Sequence, residues 1–197
     1  MSTRERGNAL PELTRLAEEA KQKRTEYELE IFQTLTSVAV CGDELRLATA
    51  PLVPRRSTTE ASKTLKVLDD VRGLLQDAQT SLQRKSSPPE YWTAVSKRFT
   101  DLAIEFQNQM NLTSPKTWIY AEDIATHRSL VASIGFGLYQ LGMKTLDLQE
   151  ALNTTRDLDQ QMGTAATDAA RIQKRRQECF DDYRRERAKL EAMMRAR

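Results

Sequence analysis

Two stretches at opposite ends of this chain keep apolar or small residues in a three-four alternation for about five heptads each, the spacing of a coiled-coil seam. The N-terminal stretch runs Leu13, Ala17, Ala20, Arg24, Tyr27, Ile31, Thr34, Val38, Cys41, Leu45, Ala48. The C-terminal stretch runs Leu158, Met162, Ala165, Ala169, Ile172, Arg176, Cys179, Tyr183, Glu186, Leu190, Met193. A helix with such a stripe needs a neighbour along its length. Long helices are permitted, because 197 residues hold only 7 glycines and 6 prolines. The apolar fraction of 39% and charged fraction of 29% fit helices with much surface and little core.

Breakers and caps divide the chain. A first helix over 8–49 ends at Ala50-Pro51-Leu52-Val53-Pro54, where proline removes a donor. Gly42 marks a place where it can kink. Ser57-Thr58-Thr59-Glu60 is a capping box opening a second helix over 57–85, with Leu65, Leu68, Val71, Leu75, Ala78 and Leu82 as its buried stripe. Ser87, Pro88 and Glu90 open a third, over 88–110, with Trp92, Val95, Phe99, Leu102, Phe106 and Met110 turned inward. Ser114-Pro115 opens a fourth, over 115–152. Between Leu130 and Met143 it is apolar on nearly every side, as expected of an enclosed helix, and Gly135, Gly137 and Gly142 allow close neighbours. The apolar phase slips near Asn153-Thr154-Thr155, predicting a short break before a fifth helix, an arm over 155–197. The expectation is one all-α domain over 1–197: an elongated helical bundle of about five helices, with long coiled-coil-like N- and C-terminal helices. The middle helices build its core and the terminal ones act as partner-seeking arms.

Catalytic chemistry finds little to stand on. The chain has one histidine, His127, and two cysteines, Cys41 and Cys179. These make neither a metal cluster nor a Cys-His pair. The carboxylate pairs Asp69-Asp70, Glu122-Asp123 and Asp181-Asp182 are adjacent residues, which diverge by about 100° on a helix and so do not converge. Gly135-Phe136-Gly137 lacks the strand, turn and Lys-Ser/Thr of a phosphate loop. No cofactor, metal or small-molecule substrate is expected. Both cysteines fall on seam positions and read as buried free thiols in a reducing cytoplasm, in keeping with the polar start Met1–Asn8 and with no apolar run long enough to span a bilayer.

The last helix carries the functional expectation. From Arg171 to Arg197 it holds 10 Arg or Lys and 5 acidic residues. Leu158, Met162, Ile172, Arg176, Tyr183 and Leu190 are the candidate partner interface. Lys174, Arg175, Arg184 and Arg185, with Arg55 and Arg56 after the first helix, are the candidate anion contacts, facing an anionic membrane surface or nucleic-acid phosphates. The opposing reading is a solvated face with carboxylates one turn away, Glu178 and Asp182 against Arg175 and Arg185. Arg176 and Glu186 are costly if buried singly and can pair across helices to set register.

The chain thus reads as a non-enzymatic structural or scaffold protein that oligomerises, or joins a larger assembly, through helix-helix contacts. Two alternatives stand beside this. In length, helical composition and basic face the chain resembles BAR-type dimers, which implies a peripheral membrane protein. The resemblance rests on no residue motif, and the prolines give more and shorter helices than three long ones. The other alternative is a helical nucleoprotein or coat subunit that holds a few phosphates per copy.

Overall fold

The computed structural model describes residues 9–49, 58–85, 87–112 and 121–195. Four helices occupy them: α1 (Ala9–Thr49), α2 (Thr58–Arg84), α3 (Pro89–Leu112) and α4 (Ala121–Arg195). No strand occurs among the described residues. The chain divides into two compact units, one of Lys21–Asn153 and one of Met1–Ala20 with Thr154–Arg197.

In the larger unit the four helices pack as a bundle, each antiparallel to the next. On α1 and α4, Glu30 pairs with Lys144 while Val38 meets Gly137. On α1 and α2, Arg46 pairs with Asp69, whereas Leu35 shares a groove with Gln79. On α3 and α4, Ser96 Oγ donates to Gly142 O at 2.6 Å and Phe106 lies beside Gly135. The core is one cluster. It joins Ile31, Leu35, Val38 and Leu45 of α1 to Leu68, Val71, Leu74, Leu75 and Ala78 of α2, Trp92, Val95, Phe99 and Phe106 of α3, and Ile134, Leu138, Leu141 and Leu148 of α4.

Several expected stripes occupy this core. On α2, Leu68, Val71, Leu75, Ala78 and Leu82 are buried and Leu65 is half-buried. On α3, Trp92, Val95, Phe99, Leu102 and Phe106 are buried. The second helix ends at Arg84, and Lys85 takes a left-handed φ of 51° and donates its N–H to Leu82 O at 3.3 Å. The openings at Ser57 and Ser114-Pro115 lie outside the described residues, as do Arg55 and Arg56.

Three expectations change. First, α1 is no projecting arm over its second half: its seam residues Ile31, Val38 and Leu45 are large enough to fill the bundle core, and the helix continues past Gly42 to Thr49. Second, α4 is unbroken from Ala121 to Arg195, 75 residues. Nothing at Asn153-Thr154-Thr155 removes a backbone donor, and Thr155 is itself buried. The apolar slip coincides instead with the boundary between the two units, so four helices stand where about five were expected. Third, Cys179 is exposed, because the helix around it has no covering neighbour among the described residues.

Close approach of α4 to its neighbours depends on two glycines. A methyl at Gly137 would overlap the Val38 side chain, whose β-branch allows little rotation. One at Gly142 would fall 2.6 Å from Thr100 Oγ1 and 3.4 Å from the Ser96 carbonyl oxygen. Gly73 on α2 faces open space. Gly137→Ala and Gly142→Ala should each cost about 1–3 kcal/mol in denaturant unfolding. Gly73→Ala should instead gain about 0.5–1 kcal/mol, as expected for an exposed helix interior.

Candidate assembly interface

The outward face of α4 in the bundle is apolar. Phe136, Tyr139, Met143 and Leu146 follow one another at intervals of three, four and three residues, which keeps them on one side of a helix. Their exposures are 64%, 54%, 50% and 40%. They lie opposite Ile134, Leu138, Leu141, Thr145 and Leu148, each of which is 1% exposed or less. The stretch expected to be enclosed is therefore covered on one face and open on the other. On α1, Leu29, Val40 and Leu47 form a sparser outward set, all more than half exposed.

In the smaller unit the last part of α4 changes character along its length. Thr155 is buried, and Leu158, Met162, Ala165 and Ile172 are half-buried. The same unit holds the first turns of α1, where Ala17 and Ala20 are buried and Leu13 is half-buried. From Gln173 to Lys189 every residue is exposed except Asp181, which is half-buried. Arg176 and Tyr183, placed on the same predicted stripe as Ile172, thus face solvent. They share a shallow apolar groove with Ile172, Arg175, Cys179 and Phe180. The side chain of Leu190 lies outside the described residues.

The basic residues of this segment are spread around the helix and largely engaged with neighbours one turn away. Lys174 reaches Glu178 at 4.0 Å, Arg185 reaches Asp182 at 3.0 Å, Arg187 reaches Glu191 at 3.0 Å and Lys189 reaches Glu186 at 2.7 Å. The Arg184 guanidinium lies over the Phe180 ring at 4.7 Å. Such exposed pairs contribute only about 0.3–0.5 kcal/mol each. Lys63 and Lys66, the next basic residues after Arg55 and Arg56, are exposed on α2.

Among the described residues no three His, Cys, Asp or Glu side chains converge in a way that could hold a metal ion, and no helix is long and apolar enough to cross a membrane. Comparison with protein-family models, with curated proteins and with solved structures finds no match to this chain. The outward α4 stripe is what the sequence reading missed. Its signal was the all-round apolarity of Leu130 to Met143, which shows that two faces need cover but not which of them this chain covers itself.

Burial pushes the His127 imidazole below its ordinary value of 6.5. The unfolded chain therefore takes up the proton first on acidification. Stability should be unaffected by this group well above neutrality, fall as pH drops through about 6.5, and level off below the folded-state value. Urea titrations between about pH 8 and pH 5 should show a shallower acid loss for His127→Gln than for the native chain. The thiols differ as well. Cys41 is half-buried, and burial, then the nearby Glu44 carboxylate, raise its pKa. In solution too dilute for self-association, a thiol reagent should label one equivalent fast and one slowly, with Cys179→Ser abolishing the fast phase.

Proposed function

We propose that this protein is a non-enzymatic structural subunit that assembles, with copies of itself or within a larger complex, through helix-helix contacts. One observation carries this reading: the exposed row Phe136, Tyr139, Met143 and Leu146 on the outer face of the apolar stretch of α4 within the bundle. Aromatic residues and methionine are the side chains enriched at the centres of protein interfaces. Four in a row on a rigid helix make an anchor strip that water solvates poorly. Burying such side chains stabilises by about 1.5–3 kcal/mol each before the costs of association. The chemistry of the strip supports a protein partner. It presents no cation for phosphate and no cluster of titratable groups for catalysis.

Mass measurement of the full chain by light scattering at micromolar concentration tests this. The native chain should run above its monomer mass of 22.5 kDa. Phe136→Glu and Met143→Glu should each weaken association at least about tenfold. Both positions face away from the core, so helical content and melting temperature should stay near native. A chain that remains monomeric removes self-assembly. Unchanged association in both variants removes the strip as its basis.

A further inference from the structure

The exposed end of α4 has a seam whose charges select one kind of partner and one register. The three-four alternation continues past the half-buried Ile172 through Arg176, Cys179, Tyr183, Glu186, position 190 and Met193. Tyr183 is 63% and Met193 69% exposed, and Arg176, Cys179 and Glu186 are exposed as well. Arg176 makes no hydrogen bond or ion pair among the described residues, although it borders the apolar groove of Ile172, Cys179, Phe180 and Tyr183. Glu186 has Lys189 of its own helix at 2.7 Å, whereas Arg176 has no such neighbour; on a seam both are unfavourable against an apolar partner, and Arg176 is favourable where it meets a carboxylate.

We propose that residues 172–190 pair with the same segment of a second copy as an antiparallel two-stranded coiled coil, its two-fold axis passing at position 181. This rests on the assembly reading above and assigns it a second surface. In a parallel, in-register pair every seam position faces itself, so Arg176 would face Arg176 and Glu186 would face Glu186. Two like-charge contacts would then be drawn into the seam. In the antiparallel pair the alternation places Arg176 opposite Glu186 of the second copy, twice. The same axis sets Cys179 opposite Tyr183, position 172 opposite position 190, and Phe180 beside Phe180. One register thus satisfies the charges and matches apolar positions to apolar positions. Asp182 and its mate flank the axis at the rim, where each already lies 3.0 Å from Arg185 of its own helix. The ion pairs supply direction and register, and the apolar groove supplies contact area.

Full-length variants test the register. Arg176→Glu and Glu186→Arg should each weaken self-association, measured by sedimentation equilibrium, at least about tenfold. The double variant Arg176→Glu with Glu186→Arg should return to within about threefold of the native chain. Parallel pairing predicts otherwise: single exchanges with little effect and no rescue. Direction has its own readout in the Cys41→Ser chain. Mild oxidation should give little disulfide-linked dimer, because Cys179 faces Tyr183, and rapid dimer formation would overturn the proposal. Association lost in Phe136→Glu but unmoved by either charge exchange overturns the tail register and leaves the assembly reading standing. A native chain monomeric at tens of micromolar overturns the pairing outright. So does a monomeric chain that sediments with anionic vesicles through Arg175 and Arg184.

Discussion

The bundle depends on how near α4 can come to its neighbours. Gly137 lets the α1 backbone reach the helix at Val38, and Gly142 lets α3 reach it at Ser96 and Thr100. Ser96 Oγ then donates to the Gly142 carbonyl, and Thr145 Oγ1 donates to the Leu141 and Gly142 carbonyls at 2.7 and 3.0 Å, so the polar atoms at this crossing are satisfied. Glycine on the two flanks and aliphatic residues at the centre leave α4 a narrow inner wedge. The inward side is filled by Ile134, Leu138, Leu141 and Leu148. Phe136, Tyr139 and Met143 lie on the opposite side of the helix and are exposed, so the tight interior and the apolar exterior are two faces of one helix.

How much of this was legible depended on whether a stretch had a phase. On α2 and α3, large aliphatic and aromatic residues recur at three and four with charged residues between, so the stripe names its own inner face. Leu68, Val71, Leu75, Trp92, Val95 and Phe99 all lie there. Over Leu130 to Met143 apolar residues occur on all sides, and periodicity has nothing to choose between. Only the positions of α1 and α3 decide that Leu138 is inside and Tyr139 outside. At Asn153-Thr154-Thr155 the phase does shift, but a shift of apolar phase is a change of neighbour, not of backbone. Without proline or a string of glycines the hydrogen-bond ladder continues, and the slip marks where one compact unit gives way to the next.

The two heptad stretches separate on the same ground. The stripe of α1 contains Ile31, Val38 and Leu45, which repay burial within the chain. The last stripe carries Arg176 and Glu186, and its apolar residues beyond Ile172 are Cys179, Tyr183, Leu190 and Met193, of which Cys179, Tyr183 and Met193 are exposed. Spacing alone does not distinguish them, since both obey the same alternation. Side-chain volume does, because the seam with the larger aliphatic residues gains more from internal packing.

In the proposed assembly the two surfaces have complementary physics. The strip from Phe136 to Leu146 is large, aromatic and free of charge, so it provides binding energy with little directional information, since apolar contact is non-directional. The segment around Arg176 and Glu186 is the reverse. Its seam is thin, and ion pairs drawn into a helix interface add little net stability, but a wrong arrangement leaves each charge facing its like or an apolar side chain. Specificity is a difference between the right and the wrong complex, and a buried charge widens that difference by penalising the wrong one. The presence of Arg176 and Glu186 on an otherwise apolar alternation is intelligible on those terms. Leucine at both positions would bind more tightly and accept more arrangements.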